Sequence, residues 1–517
     1  MLRNGQLRAA RVPPWCELAV ALAAGVVLGG CASDHESMIP PAPERPWVVP
    51  DTGRYAALAA GDPEAARSPG QQGESPPAVD ARKTYELAEL IDIAERTNPE
   101  SRIAWERARE AALAIGIAES GYAPILSAKA SAAAQRISSP LPSNLTPKGF
   151  FVADTEIFLP ALTLKWLLFD FGGKEATVDA RRETLAAANF GFNATHQKVV
   201  FDVTRAYYAL NVVQGRVEVA RASLDLAQTL QDAAESRRAR GLATLPEVLQ
   251  ARERTARAAY ELQEAIAGET DARMLLLDAM GVRPTTSLRV AGLAARPLPA
   301  AVEDTADKLV DTALTRRPDL LARVAVVRAR EAEVRKAQSE FYPRIVVAGD
   351  VGQNIGRMST ADVPGWSNVN QPTYGAAIAI EVPIFDGGLR RNRLGTARAQ
   401  QRIAEDELEL ARDQTMRQVV KAYEDFKVAS RQREAAVALL TASERSYDAA
   451  IDSYRHGVAT FVDVSNAQTA LIKARTADTD TRSAVFTAAA SLAFSTGDLA
   501  PPGAPEASSG VDLPWRR

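Results

Sequence analysis

The residues able to do covalent, metal or acid–base chemistry are few in this chain, and they are scattered. Cys16 and Cys31 are its only thiols, and His35, His196 and His456 its only imidazoles. The histidines are far apart in sequence, and none stands with cysteines or carboxylates in a recognisable metal-binding pattern. Neither a GxSxG elbow, nor a P-loop, nor a GxGxxG followed by an acidic residue, nor HExxH occurs, so nothing in the sequence supports catalysis or a metal site. What remains is chemistry of attachment and of turning. Cys31 follows the small residues Gly29 and Gly30 at the end of an apolar stretch. Two segments, Arg238–Val248 (RARGLATLPEV) and Tyr454–Val464 (YRHGVATFVDV), combine a glycine that can adopt the left-handed conformation with a threonine and an acid at capping-box spacing. In the first these are Gly241, Thr244 and Glu247, and in the second Gly457, Thr460 and Asp463.

The N-terminal segment sets the compartment. Arg3, Arg8 and Arg11 precede the apolar run Leu18–Gly30, which is too short for a permanent membrane helix and reads as a secretory signal. Leu28-Gly29-Gly30-Cys31 resembles the lipobox of bacterial lipoproteins. Residues 1–30 are then the signal peptide, Cys16 leaves with it, and Cys31 carries the lipid, palmitate included, as residue one of the mature chain. Its neighbour Ala32 matches the pattern sorted to the outer membrane. With one thiol left, no internal disulfide can form. Residues 31–84 are rich in proline and glycine and read as an acylated tether, and 500–517 as a flexible tail. The charge balance of 61 basic against 64 acidic residues gives −3 and no basic footprint for nucleic acid.

Between tether and tail the chain repeats itself. At an offset of 219, Leu90, Asp92, Pro99 and Pro124 fall on Leu309, Asp311, Pro318 and Pro343; at 216, Phe169, Asp170, Gly172, Gly241 and Thr244 fall on Phe385, Asp386, Gly388, Gly457 and Thr460. The first repeat covers 85–303 and the second 304–499. Proline is missing from Ala161 to Leu245 and from Ile384 to Ala500, and alanine is abundant while only 6% of residues are aromatic. Long helices packed through small side chains follow, with a coiled seam at Val203, Tyr207, Leu210, Val217 and Leu224. They reverse at tips near 238–248 and 454–464 and return as shorter helices, about Thr244–Met280 and Thr460–Thr496. A further helix in each repeat, near Tyr85–Ser120 and Asp304–Glu340, is expected to stack end to end with the returning one.

Near 124–169 and 343–385 the periodicity changes to alternation. Leu162, Leu164, Trp166 and Leu168 alternate with Thr163 and Lys165, and Tyr374, Ala376, Ile378 and Ile380 with Gly375, Ala377 and Ala379. Each repeat is expected to contribute one hairpin of strands about ten residues long, with exposed loops at Ser138–Val152 and Gly356–Pro372. An open sheet edge is intolerable in lipid, so four strands in a membrane must be pooled with those of other copies. Three copies give twelve.

The duplication, the Phe-Asp-x-Gly junctions at Phe169 and Phe385 and the two glycine–threonine tips resemble the TolC-like outer membrane factors, in the lipoprotein subgroup that serves resistance-nodulation-division pumps. The resemblance spans about Tyr85–Leu499. It implies a mainly α fold with membrane β: a homotrimer whose long coiled helices form an α-barrel continuous with a 12-stranded transmembrane β-barrel. It further implies a lipid-anchored outer-membrane exit duct of a tripartite efflux pump. The duct would pass small toxic compounds, work with a periplasmic adaptor and an inner-membrane pump, and need no cofactor beyond the lipid on Cys31. Adaptors of the family dock at tips corresponding to Gly241, Thr244, Glu247, Gly457 and Thr460. The family closes its periplasmic end with a ring of aspartates; Asp463 matches one ring position, while the next falls on Asn466, which weakens the carried-over cation-selective constriction. An exit duct for type I protein secretion uses the same fold. A non-conducting lipid-anchored coiled-coil tether would leave the alternating hairpins without a use.

Overall fold

The two proline-free stretches become two helices of 67 residues each, Gly173–Ala239 (α3) and Leu389–Arg455 (α7). At 1.5 Å per residue each is about 100 Å long. The computed structural model describes residues 44–45, 79–140, 149–293, 296–360 and 363–499. Cys31, His35, the signal segment, nearly all of the tether and the tail lie outside the described residues.

In chain order the elements are β1 (Thr84–Tyr85), α1 (Leu87–Thr97), α2 (Pro99–Glu119), β2 (Ile125–Pro140), β3 (Phe150–Phe169), α3, α4 (Leu245–Ala279), β4 (Arg289–Val290), α5 (Ala306–Arg316), α6 (Pro318–Ser339), β5 (Arg344–Thr360), β6 (Val363–Glu381), α7 and α8 (Phe461–Thr496). The helix expected over Tyr85–Ser120 is therefore two, broken at Asn98, and its repeat is broken at Arg317. The physical reason is the proline that follows each. Proline suits the first turn of a helix but pushes the residue before it into extended backbone, and both Asn98 (ψ 125°) and Arg317 (ψ 121°) are extended. The break receives the end of the returning helix. Thr97 Oγ1 donates to Met280 O at 2.6 Å and Asn98 Nδ2 to Ala279 O at 2.9 Å. Gly281 turns there with φ 69°, and a Cβ on it would lie 2.8 Å from Asn98 Cα. So α2 and α4 together run alongside α3, as α6 and α8 run alongside α7.

Packing places these helices in one curved layer. Toward the sheet the order is α2, α3, α6, α7, and toward the tips it is α4, α3, α8, α7. The core where the two orders meet holds Leu90, Ile91, Tyr207, Tyr208, Met280 and Phe486. The connection after α4 seals it from one side: Tyr207 donates its hydroxyl to Ala291 O at 2.7 Å, and Arg482 reaches Arg296 O at 2.6 Å.

The strands form one antiparallel sheet in the order β2-β3-β5-β6. They are longer than expected, at 16, 20, 17 and 19 residues. Much of each expected loop is strand: Ser138–Pro140 pair with Phe150–Val152, and Gly356–Met358 pair with Ser367–Val369. The sequence hid this because beyond the apolar stretch both faces mix polar with apolar residues, Arg136, Asp154 and Glu156 standing among Ile137, Phe150 and Ile157. The alternation fades while the backbone pairing, which does not depend on side-chain polarity, continues.

Candidate functional site

Two regions carry functional geometry: the sheet at one end and the paired tips at the other. In the sheet, register places the apolar residues of all four strands on one face. Leu164 lies opposite Leu126, and Leu162 opposite both Ala128 and Val351; Val351 lies opposite Tyr374, and Trp166 opposite Val347, which in turn faces Ile378. The other face carries Ser127, Lys129, Thr163, Lys165, Asp350 and Thr373. From Phe158 to Leu168 the apolar face runs ten residue steps, which at ~3.3 Å each and a tilt near 40° is a band about 25 Å tall. Phe158, Leu162, Tyr374 and Ile378 on this face are all exposed. Past the band the face turns ionic, with Arg136 beside Asp154 at 3.6 Å and Arg357 paired with Glu156 at 2.7 Å. Among the described residues, β2 and β6 each have a strand neighbour on one side only.

At the sheet–helix junctions Gly172 and Gly388 both take φ 89° as N-caps. Asp386 binds the second junction by accepting from Gly388 N at 3.0 Å and from the Arg390 guanidinium at 2.6 Å. In the Phe-Asp-x-Gly motif the glycine thus supplies a left-handed conformation at both junctions, and at the second the aspartate satisfies helix donors.

At the tips, Gly241 (φ 75°) and Gly457 (φ 78°) end the long helices in left-handed turns. Leu242 N donates to Arg237 O and Val458 N to Ser453 O, each at 2.9 Å, so orphan carbonyls are satisfied. The restarts differ. Thr460 and Asp463 form a complete capping box: Asp463 Oδ2 accepts from Thr460 N at 2.9 Å and from Thr460 Oγ1 at 2.7 Å, and Asp463 N donates to Thr460 Oγ1 at 3.3 Å. These donors, the Thr460 hydroxyl first and its N–H second, hold the Asp463 carboxyl below its usual pKa. The box expected at Thr244 and Glu247 is not made, because the Thr244 side chain caps nothing. Pro246 in the first turn has already removed one orphan donor, so the need for a side-chain cap is smaller there. Asn466 lies one turn beyond Asp463 on the same exposed face of α8.

Neither tip motif announces the contact that fastens the two tips together. Arg237, in the last turn of α3, donates through Nη1 to Tyr454 O at 2.6 Å, and its guanidinium lies 4.6 Å from the centre of the Tyr454 ring. Tyr454, at the end of α7, is 1% exposed and packs with Leu230, Val248, Ile451, Phe461 and Val464 from all four tip helices. Burial raises its hydroxyl pKa, with Arg237 acting in the opposite sense. The available signal was a break in repeat symmetry: at the 216 offset Tyr454 stands where the first repeat has Arg238. Around this core the tips expose Leu242, Leu245 and Leu249 on one side and Val458 and Val462 on the other.

Of the other sequence candidates, His196 is buried with its Nδ1 3.8 Å from Glu95, and His456 is exposed beside Asp452. Among the described residues no group of three or more His, Cys, Asp or Glu could hold a metal, and no helix is long and apolar enough to cross a membrane.

The sequence profile of the outer membrane efflux protein family matches residues 90–282 and 309–498, both halves of the duplication. The chain belongs to the outer membrane efflux protein family. Members are outer-membrane channels and not enzymes. Among curated relatives, the efflux-family chain is 29% identical to Protein CyaE of Bordetella pertussis over 449 residues, covering 85% of this chain and 91% of that protein. It is 23% identical to the pyoverdine export outer membrane protein OpmQ of Pseudomonas aeruginosa, covering 91% and 94%. Among solved structures, the outer membrane protein VceC of Vibrio cholerae superposes with a TM-score of 0.65 at 23% identity, covering 80% of this chain and 96% of that one, which shows the shared fold.

Proposed function

We propose that this efflux-family channel is a passive, lipid-anchored exit duct of a tripartite pump. Three copies pool their sheets into a twelve-stranded barrel in the outer membrane, with the helices continuing it into the periplasm. The observation that carries this reading is a four-stranded sheet with a 25 Å-scale apolar outer face and two long strands, β2 and β6, open at its edges. The helical layer is open at the same places: α7 continues from β6 on one side, and α2 and α4 lie at the β2 side. One lateral docking would therefore close sheet and helices together. Exposed Ile384 and Phe385, in the connection between β6 and α7, would be covered in part by lipid and in part by the neighbouring copy.

No nucleotide motif is present, so the driving energy must come from a partner, an inner-membrane pump of the resistance-nodulation-division type joined through a periplasmic adaptor. The apolar side chains exposed on the tips, beside Gly241, Thr244, Glu247, Gly457 and Thr460, form the surface for that adaptor. The gate is the tip assembly, held shut by Arg237 on Tyr454, with Asp463 and Asn466 facing the constriction. Opening needs the tips to part, and adaptor contact selects the parted state. Small toxic solutes are the cargo class this reading assigns, and the relative OpmQ is a pyoverdine export protein. Cys31 carries the anchor. The test is single-channel recording on purified protein in planar bilayers. Trimer-sized conductance steps are expected, and folded trimers that stay silent would favour a non-conducting periplasmic tether.

A further inference from the structure

We infer that the first turns of α7 form a binding surface for the anionic phospholipid headgroups of the periplasmic leaflet. This rests on the sheet being the membrane-spanning part. The sixteen residues Leu389–Ala404 contain five arginines and no acid, whereas the equivalent start of α3, Gly173–Ala188, balances Lys174, Arg181 and Arg182 against Glu175, Asp179 and Glu183. The two repeats therefore differ in charge at the same level of the fold. Two of the five arginines are engaged within the chain: Arg390 with Asp386 at 2.6 Å, and Arg393 with Glu340 at 3.1 Å. Arg391, Arg398 and Arg402 are exposed and make no ion pair with any described residue.

Their direction follows from helix geometry. At about 100° per residue, the buried face of α7 is centred on Leu408 and Phe426, which face the chain's own helices. Ile403, Leu410, Val428 and Leu439, all about half exposed, fall roughly 200° from that centre and face the neighbouring copy. Arg391, Arg398 and Arg402 fall between these faces, near 100°, on the side of Tyr423, which lies near 60° and packs against α5 through Leu309 and Val310. That is the outside of the duct, because three copies of α5 and its connection placed inside would fill the passage. The row thus faces periplasm and lipid.

Depth decides which arginine matters. Arg391 sits two residues into the helix, just below Ile384 and Phe385, which are 93% and 90% exposed at the edge of the apolar band. It is within the headgroup layer, about 5–7 Å thick on each side of a bilayer. Arg398 lies ~10 Å and Arg402 ~16 Å further from the membrane. The latter is two Debye lengths away at physiological salt. A cluster of basic side chains next to a membrane band attracts anionic lipid by charge alone.

The experiment uses full-length trimers in nanodiscs of equimolar phosphatidylglycerol and phosphatidylcholine, with retained lipids counted by native mass spectrometry after a brief detergent wash. Wild-type protein is expected to retain phosphatidylglycerol preferentially, and added salt to reduce the preference. Arg391→Gln should lower it about fivefold, the equivalent of the ~1 kcal/mol a basic side chain gains near an anionic surface. Arg398→Gln should lower it less, Arg402→Gln should leave it unchanged, and Arg391→Lys should restore it. No preference in the wild type, or equal loss at Arg391 and Arg402, would overturn the inference. Conductance separates the two failures: channels that conduct without lipid preference sink this surface alone, whereas protein that never inserts sinks the channel reading.

Discussion

Removing the Arg237 side chain should unfasten the tips. The guanidinium makes one charge-assisted hydrogen bond to Tyr454 O and one stacking contact on the Tyr454 ring. Such a hydrogen bond contributes about 1.5–3 kcal/mol and a half-exposed cation–π contact about 0.5–1 kcal/mol. Arg237 is half-buried, so the lower ends apply, giving about 2 kcal/mol per copy. This is roughly a 30-fold shift toward the parted state at each tip pair, and about 6 kcal/mol if three copies part together. The assay is open probability of Arg237→Ala trimers in planar bilayers, paired with entry of a large hydrophilic antibiotic into cells carrying the variant; both should rise. Tyr454→Phe supplies the control that gives the test its edge. The latch uses the backbone carbonyl and ring face of Tyr454, and its buried hydroxyl makes no hydrogen bond, so losing that oxygen should leave the channel closed. An Arg237→Ala channel as closed as wild type, or a Tyr454→Phe channel as leaky as Arg237→Ala, would refute the reasoning.

Four further outcomes rest on the geometry. Thr460→Ala should destabilise the start of α8 by about 1 kcal/mol, seen as faster amide exchange in its first turn, whereas Thr244→Ala should change little because that side chain caps nothing. Gly356→Val should cost about 1–3 kcal/mol and lower the yield of folded trimer on native gels, since a Cβ there collides with the carbonyl of Glu156 on β3. Asp463 is held below its usual pKa by Thr460, so its contribution is complete above the ordinary carboxylate value near 3.9 and is lost only as pH falls through the lower folded value. Amide protection in the first turn of α8 should accordingly stay level between neutrality and about pH 5. Asp463→Ala should change cation block if the carboxylate faces the constriction, and unchanged block would leave it only its capping role.

The duplication, the two long helices, the glycine turns at 241 and 457 and the inward–outward alternation of Leu162, Leu164 and Trp166 were all legible in the sequence. Each depends on contacts within a few residues or on a period that the chain itself repeats. A proline-free run, a left-handed glycine and a two-residue alternation need no knowledge of what lies across the fold. The breaks at Asn98 and Arg317 were also local, since Pro99 and Pro318 stood in plain view as matched repeat positions, but helical periodicity on both sides masked them. Strand length was not legible, because outside the apolar band only backbone pairing distinguishes strand from loop. Tertiary structure alone decided two things. It placed Arg237 against Tyr454, 217 residues away in sequence. And it put the edges β2 and β6 in line with the open faces of α2, α4 and α7. These are relations between distant segments, set by how helices and strands pack in three dimensions, and no spacing along a single chain encodes them.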